Sequence, residues 1–145
     1  MEQVKDVPGY IREMYRNNAF MTNFGIEIGP IRNGGAQVGL YIDPAKHFNH
    51  RGICHGGVLS ALADSVLGVT GASVGCAVAT LSFSMSFERN VRKAGWVYVR
   101  SNIRHCGRTT MVIEAEMRDE ENTLMANILT TMFIVSRFEE IPAKW

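Results

Sequence analysis

Apolar residues recur along this chain at two different periods. Near the start, Ile11, Met14 and Tyr15 fall at helical spacing after Pro8. This predicts a short amphipathic helix over residues 8–17, placed to cover a core edge or a pocket mouth. Phe20, Met21 and Phe24 follow as apolar candidates to line a pocket. Ile26 to Ile28, the Asn33-Gly34-Gly35 turn signal and the alternation of Val38, Leu40 and Ile42 read as a first β-hairpin. A loop over 43–48 then feeds the stretch 49–71, in which Val58, Leu59, Ala61, Leu62, Ala63, Val66, Leu67 and Val69 leave no polar face. That pattern predicts a helix buried on all sides, ending near Gly71 or Gly75.

From Thr80 onward the period is two. Over 80–87, Leu81, Phe83, Met85 and Phe87 fall on one side and Thr80, Ser82, Ser84 and Ser86 on the other. Further strands are predicted over 96–104, over 109–118 (Met111, Ile113, Ala115 and Met117 against Thr110, Glu114 and Glu116) and over 123–135, with a hairpin turn at 119–122. Short connections imply antiparallel neighbours. The expected fold is α+β, one domain over 1–145: a curled antiparallel sheet wrapped around one long central helix, with a short N-terminal helix.

Composition narrows the function. A chain of 145 residues buries a sizeable core without staples. A net charge of +1 with 20% charged residues excludes a general nucleic-acid binder. Cys54, Cys76 and Cys106 form no CxxC pair, so neither a disulfide framework nor a zinc site is expected, and a reducing compartment fits. His47 and His50 lack a third ligand nearby, so no metal is expected. No P-loop or GxGxxG motif occurs, and no cofactor is expected. The N-terminus has no apolar signal core and no run approaches a membrane span, which reads as a cytoplasmic protein without membrane attachment. The eight methionines fall mostly at core positions. Against this background Asp64 stands out, because a carboxylate in the middle of an apolar helix is costly unless paired or used.

The order strand, loop, Asn49-x-x-Gly52-x-x-His55-Gly56-Gly57 helix start, mid-helix Ala63-Asp64 and four antiparallel strands resembles the hotdog-fold acyl-CoA thioesterases. The branch is the PaaI-like one, similar to the phenylacetyl-CoA thioesterase and the human thioesterase superfamily member two. Thr80-Leu81-Ser82-Phe83 leading to Phe87-Glu88-Arg89, and Gly107-Arg108, match as well, so the resemblance spans about residues 20–135. It implies that Asp64 is the catalytic carboxylate and that Gly56 gives its backbone N–H to the thioester carbonyl. Asn49, His55 and Thr80 are implied as supporting residues. The chain departs from the family pattern at Asn90, at Asn122 and in the bulky His50-Arg51, a lead-in expected to narrow the substrate entrance.

The physics of the helix agrees. A helix start offers unpaired N–H groups and a positive dipole end to an oxygen gaining charge. Gly57 beside Gly56 lets a substrate approach that backbone closely. Asp64 lies eight residues on, roughly 12 Å along the axis. The two serve one reaction only if Asp64 comes from a second subunit with its helix antiparallel, which implies a homodimer at least, and similar proteins are often dimers of dimers, here a homotetramer. Asp64 then acts as general base or as nucleophile, with both left open. Thr80 or Ser82 holds the water, Thr80 being favoured. Arg89, Arg92 and Lys93, with Arg104 and Arg108, are the basic clusters available to coenzyme A phosphates. Asn49 as an Asx turn and His55 as a plain helix-start residue are the bland alternatives. A non-catalytic acyl-CoA binder and a hotdog enoyl hydratase or dehydratase are the rival functions.

Overall fold

The computed structural model describes residues 2–145. Helix α1 (Val7–Tyr15) starts where the Asp6 carboxylate accepts the Gly9 N–H, with Pro8 in the first turn. Residues 19–24, read from sequence only as scattered apolar positions, form a second helix, α2 (Ala19–Phe24). The Asn18 side chain caps it at the Met21 N–H, and Gly25 at φ +83° stops it.

Strand β1 (Glu27–Arg32) pairs with β2 (Gly35–Ile42) and runs through Gly29-Pro30 by a register irregularity between Ile28 and Ile31. Pro30 has no N–H to give a ladder, and β1 is an edge strand where that loss is tolerated. A short α3 (Pro44–His47) leads to the long helix α4 (Gly56–Ala72). Strands β3 (Cys76–Phe87), β4 (Gly95–Cys106), β5 (Thr110–Asp119) and β6 (Leu124–Arg137) complete one six-stranded antiparallel sheet in the order β1-β2-β4-β5-β6-β3. The sheet curls round α4, whose Leu59, Leu62, Val66 and Val69 meet the inward rows Val38-Leu40-Ile42, Val97-Val99, Met111-Ile113-Met117 and Ile128-Met132. Among the described residues no helix is long and apolar enough to cross a membrane.

Two expectations are corrected. Strand β3 begins at Cys76, four residues earlier than the alternation indicated, and it does not alternate strictly. On β6 the inward row runs Ala126, Ile128, Thr130, Met132, Ile134 without a break. Thr80 pairs with Met132 and Phe83 with Thr130, so three steps on β3 face two on β6. This β-bulge at Leu81-Ser82 turns Thr80 inward on the same face as Phe83 and Met85, and leaves Leu81 60% exposed. The second correction concerns α4, which is not covered on all sides: Gly56, Gly57 and Asp64 are exposed, and Ser60, Ala61 and Gly68 are half-buried.

The C-terminal end of α4 is held from several directions. The Ser73 carbonyl accepts Trp145 Nε1 at 2.7 Å and Asn33 Nδ2 at 3.1 Å, and the Ser73 hydroxyl accepts the Gly34 N–H at 3.0 Å. Inside, the hydroxyls of Thr70 and Ser101 pair at 2.6 Å, and Ser101 also accepts the Ala36 N–H at 2.9 Å. These polar groups are buried and satisfied. At Gly71 the helix lies close against the start of β3. A Cβ there would meet Val78 Cγ2 at 2.8 Å and the Cys76 carbonyl oxygen at 2.9 Å.

Alanine is the better helix former by about 1 kcal/mol, yet overpacking of a close contact costs about 1–3 kcal/mol. Gly71→Ala is therefore expected to lower the urea midpoint. A higher midpoint would show that Val78 yields and that the contact does not set the helix–strand distance.

Candidate active site

Two places on α4 hold the residues that the sequence singles out for chemistry. At the N-terminus His55 takes the N-cap position with φ −58° and ψ 134° and gives no side-chain cap. The N–H groups of Gly56 and Gly57 lie in the first turn, where the helix has no acceptor for them and the dipole leaves the end electropositive. The Phe87 ring packs on Gly56, 3.4 Å from where a Cβ would stand, whereas nothing lies within 4 Å of that point on Gly57. The Cys54 N–H donates to the Val91 carbonyl at 2.9 Å and so ties this turn to the loop after β3. Burial of Cys54 pushes its thiol up to about 11, which leaves it an unreactive core group.

Asn49 builds the loop in front of the helix. Its side-chain oxygen accepts the N–H groups of Arg51 at 2.8 Å and Ile53 at 3.2 Å, an Asx turn that commits this oxygen to the backbone. Its carboxamide NH2 has no partner among the described residues. His47 Nδ1 accepts the Asp43 N–H at 2.9 Å and its ring stacks on Phe24, so that histidine serves the loop as well, and burial lowers its pKa. His55 is exposed. Among the described residues no group of three His, Cys, Asp or Glu side chains gathers in a way that could hold a metal ion.

Asp64 sits two turns into α4. The expectation of full burial is not met in the single chain, because the carboxylate opens into a surface cavity of about 330 Å³ on the uncovered stripe of the helix. Partial desolvation by the walls of that cavity raises its pKa from the ordinary aspartate value. None of the four ion pairs among the described residues involves it, and no hydroxyl or amide hydrogen-bonds it. A structural aspartate in such surroundings would be paired. Thr80 lines the same cavity, delivered there by the bulge, with Val78 and Met132 behind it. Ser82 pairs with Thr131 on the outer face of the sheet and stays away from Asp64.

The basic residues divide. Arg89 and Arg92 are exposed and line a groove of about 560 Å³ with Phe87, beside the start of α4. Lys93 is held by Glu121 at 3.1 Å, and Arg104 by Glu114 at 3.1 Å. Arg108 stands in the turn before Thr110, which pairs with Phe133, whereas Phe87 pairs with Ala126. Those seven steps along β6 separate Thr110 from Phe87 by about 23 Å along the strands, so Arg108 and the Arg89 cluster stand at opposite ends of the sheet in the same chain.

The other wall of the Asp64 cavity comes from α1 and α2, through Tyr15, Asn18, Phe20 and Met21. Phe20 and Met21 were expected near an acyl pocket, and Phe24 instead stacks between Phe20 and His47. Tyr15 and Asn18 were not singled out as site residues. Their signal was weak: a tyrosine on the apolar side of a short helix reads as core, and an asparagine before Phe20 reads as a cap.

Comparison with known proteins agrees with this architecture. The sequence profile of the thioesterase superfamily matches residues 51–126, just over half of the chain. The acyl-coenzyme A thioesterase PaaI of Escherichia coli K12 is 28% identical over 113 residues, covering 78% of this chain and 80% of that protein. The solved structure of E. coli PaaI superposes with a TM-score of 0.85 at 23% identity, over 91% of this chain and 95% of that one. A thioesterase protein of Streptococcus pneumoniae TIGR4, solved with coenzyme A, gives 0.78 at 24% identity over 87% and 98%. The chain therefore belongs to the thioesterase superfamily, as a PaaI-like thioester hydrolase with the hotdog fold.

Proposed function

We propose that this chain hydrolyses acyl-CoA thioesters to free acid and coenzyme A, and that its site is completed by a second copy. The observation that carries the reading is Asp64: an unpaired carboxylate of raised pKa on an apolar helix, sharing a cavity with the Thr80 hydroxyl. Coenzyme A as carrier is supported by the activity of the E. coli relative and by the ligand of the streptococcal structure. In one chain the Gly56 N–H and Asp64 are roughly 12 Å apart along α4, too far to act on one carbonyl. Two surfaces favour a partner that closes this gap. The stripe of α4 around Gly57, Ala61 and Asp64 is uncovered, and β3 is a twelve-residue edge strand paired only with β6. A second copy packed there with its helix antiparallel sets Gly56 of one chain beside the partner subunit's Asp64, in two equivalent sites. Exposed Leu129, Phe133 and Val135 on the outer face of β6 offer an apolar surface for pairing dimers.

In each site the thioester carbonyl oxygen accepts the Gly56 N–H, while Gly57 leaves the approach open. The partner's Asp64 either takes a proton from a water steadied by Thr80 or attacks the carbonyl carbon to give an anhydride that water then opens. The C–S bond breaks and the coenzyme A thiolate leaves and is protonated. His55 and the free Asn49 amide flank the carbonyl, and Arg89 and Arg92 meet the phosphates along their groove.

Asp64 must lose its proton in either route. Thiol release is expected to rise with pH through a midpoint above the ordinary Asp value of about 3.9, and Asp64→Asn is expected to lose activity by on the order of 100- to 10,000-fold. An Asp64→Asn enzyme as active as wild type sinks the assignment.

The helix start permits a sharper substitution. Proline is accepted at the first helical position, and the φ/ψ of His55 already suit a residue before proline. Gly56→Pro removes one N–H with the helix intact, and is expected to lower turnover by about 100- to 1000-fold. Unchanged turnover in a folded Gly56→Pro protein would remove Gly56 from the site.

Mixing the two inactive variants tests where Asp64 comes from. Random reassortment makes half of the dimers mixed, each with one intact site, so thiol release is expected to return to about a quarter of wild type. If each chain completes its own site, mixing restores nothing.

A further inference from the structure

Tyr15 ends α1 and reaches across to α4. Its hydroxyl fills the space where a Cβ on Gly68 would stand, and its Cζ lies 3.4 Å from that point. Only glycine lets the phenol rest directly on the helix backbone there. Glycine is a poor residue for a helix interior, and its place at 68 is accounted for by the side chain it admits. Gly68 is four residues past Asp64, about 6 Å further along the axis, and both line the cavity with Tyr15. Among the described residues nothing hydrogen-bonds the Tyr15 hydroxyl, and burial raises its pKa, so it stays a neutral phenol at ordinary pH.

Asn18, Asp64, Ser65 and Thr80 give the cavity its polar lining, and Met21, Leu67, Val78 and Met132 are its apolar walls. A thioester carbon held at Asp64 sends its acyl group along those walls toward Gly68, where the tyrosine stands across the path. At about 330 Å³ the space is at the small end for a ligand pocket.

We infer that Tyr15, seated on Gly68, ends the acyl pocket and sets the length of the acyl group that the enzyme accepts. The inference rests on the acyl-CoA reading of the Asp64 site and adds the residue that determines specificity within it.

The test is thiol release from straight-chain acyl-CoAs, from acetyl to lauroyl, by wild type, Tyr15→Ala, Gly68→Ala and the double variant Tyr15→Phe/Gly68→Ala. Each added methylene that gains a buried place is worth several-fold in kcat/KM. Tyr15→Ala is thus expected to raise the ratio of long-chain to short-chain kcat/KM by on the order of tenfold or more. Gly68→Ala, whose new methyl displaces the hydroxyl, is expected to move the optimum chain length. The double variant is expected to return it toward wild type, because a phenyl ring clears that methyl. If Tyr15→Ala does not fold, the Gly68→Ala and double variants decide alone, since they change only a methyl and a hydroxyl. Identical chain-length profiles in all folded variants that release thiol would overturn the role of Tyr15 and leave the thioesterase reading standing. Absence of thiol release by wild type across the panel would overturn the acyl-CoA reading, and the inference with it.

Discussion

A helix without a polar face is held by a sheet that covers only part of its circumference. This single constraint organises the molecule. Leu59, Leu62, Val66 and Val69 of α4 are buried against the curled sheet, which supplies the larger share of the apolar burial that stabilises such a fold. The remaining stripe carries glycine, serine, alanine and one aspartate, residues that leave the backbone close to whatever lies over it. The N-terminal helices cover one part of that stripe, and the rest is open, next to an edge strand. An arrangement of this kind keeps a carboxylate in partly apolar surroundings without sealing it away from water or substrate.

The two ends of α4 are treated differently. The C-terminal end is fixed by the β1–β2 turn, by Asn33 and by the last residue of the chain, all converging on Ser73. The N-terminal end is left with free glycine N–H groups and a histidine that does not cap them. A helix fixed in position at one end presents a well-placed electropositive start at the other, as the polarisation of a carbonyl oxygen demands.

Much of this was legible from residue types alone. The switch of hydrophobic period located every strand of the second half and the long helix, because both signals extend over many residues. Gly56, Gly57 and Asp64 stood out because their chemistry conflicts with a uniformly apolar helix. The features that escaped notice depend on where distant segments meet. The exposure of Asp64 follows from how far the sheet curls, which no local pattern encodes. That α1 walls the Asp64 cavity is one of the two placements its pattern allows, and the choice between them depends on Tyr15 meeting Gly68, fifty-three positions away. The Asx turn is one of the two sequence readings of Asn49, and the structure shows its side-chain oxygen in that use. The separation of Arg108 from Arg89 was hidden because two clusters near strand ends look alike until pairing shows which ends those are.

The bulge at Leu81-Ser82 has a consequence for how such a site is inherited. Alternation along a strand is a matter of odd and even positions, and one supernumerary residue reverses the count for everything on one side of it. Upstream, Thr80 lines the Asp64 cavity; downstream, Phe83 and Met85 pack against the core. Deleting a single residue between them would leave the length and composition of the strand almost untouched. It would still force a choice between sending a hydroxyl to the cavity and sending the aromatic row inward. What is carried from one sequence to the next at this point is therefore a parity, and an aligned threonine means the same thing in two chains only when the count beside it is also the same.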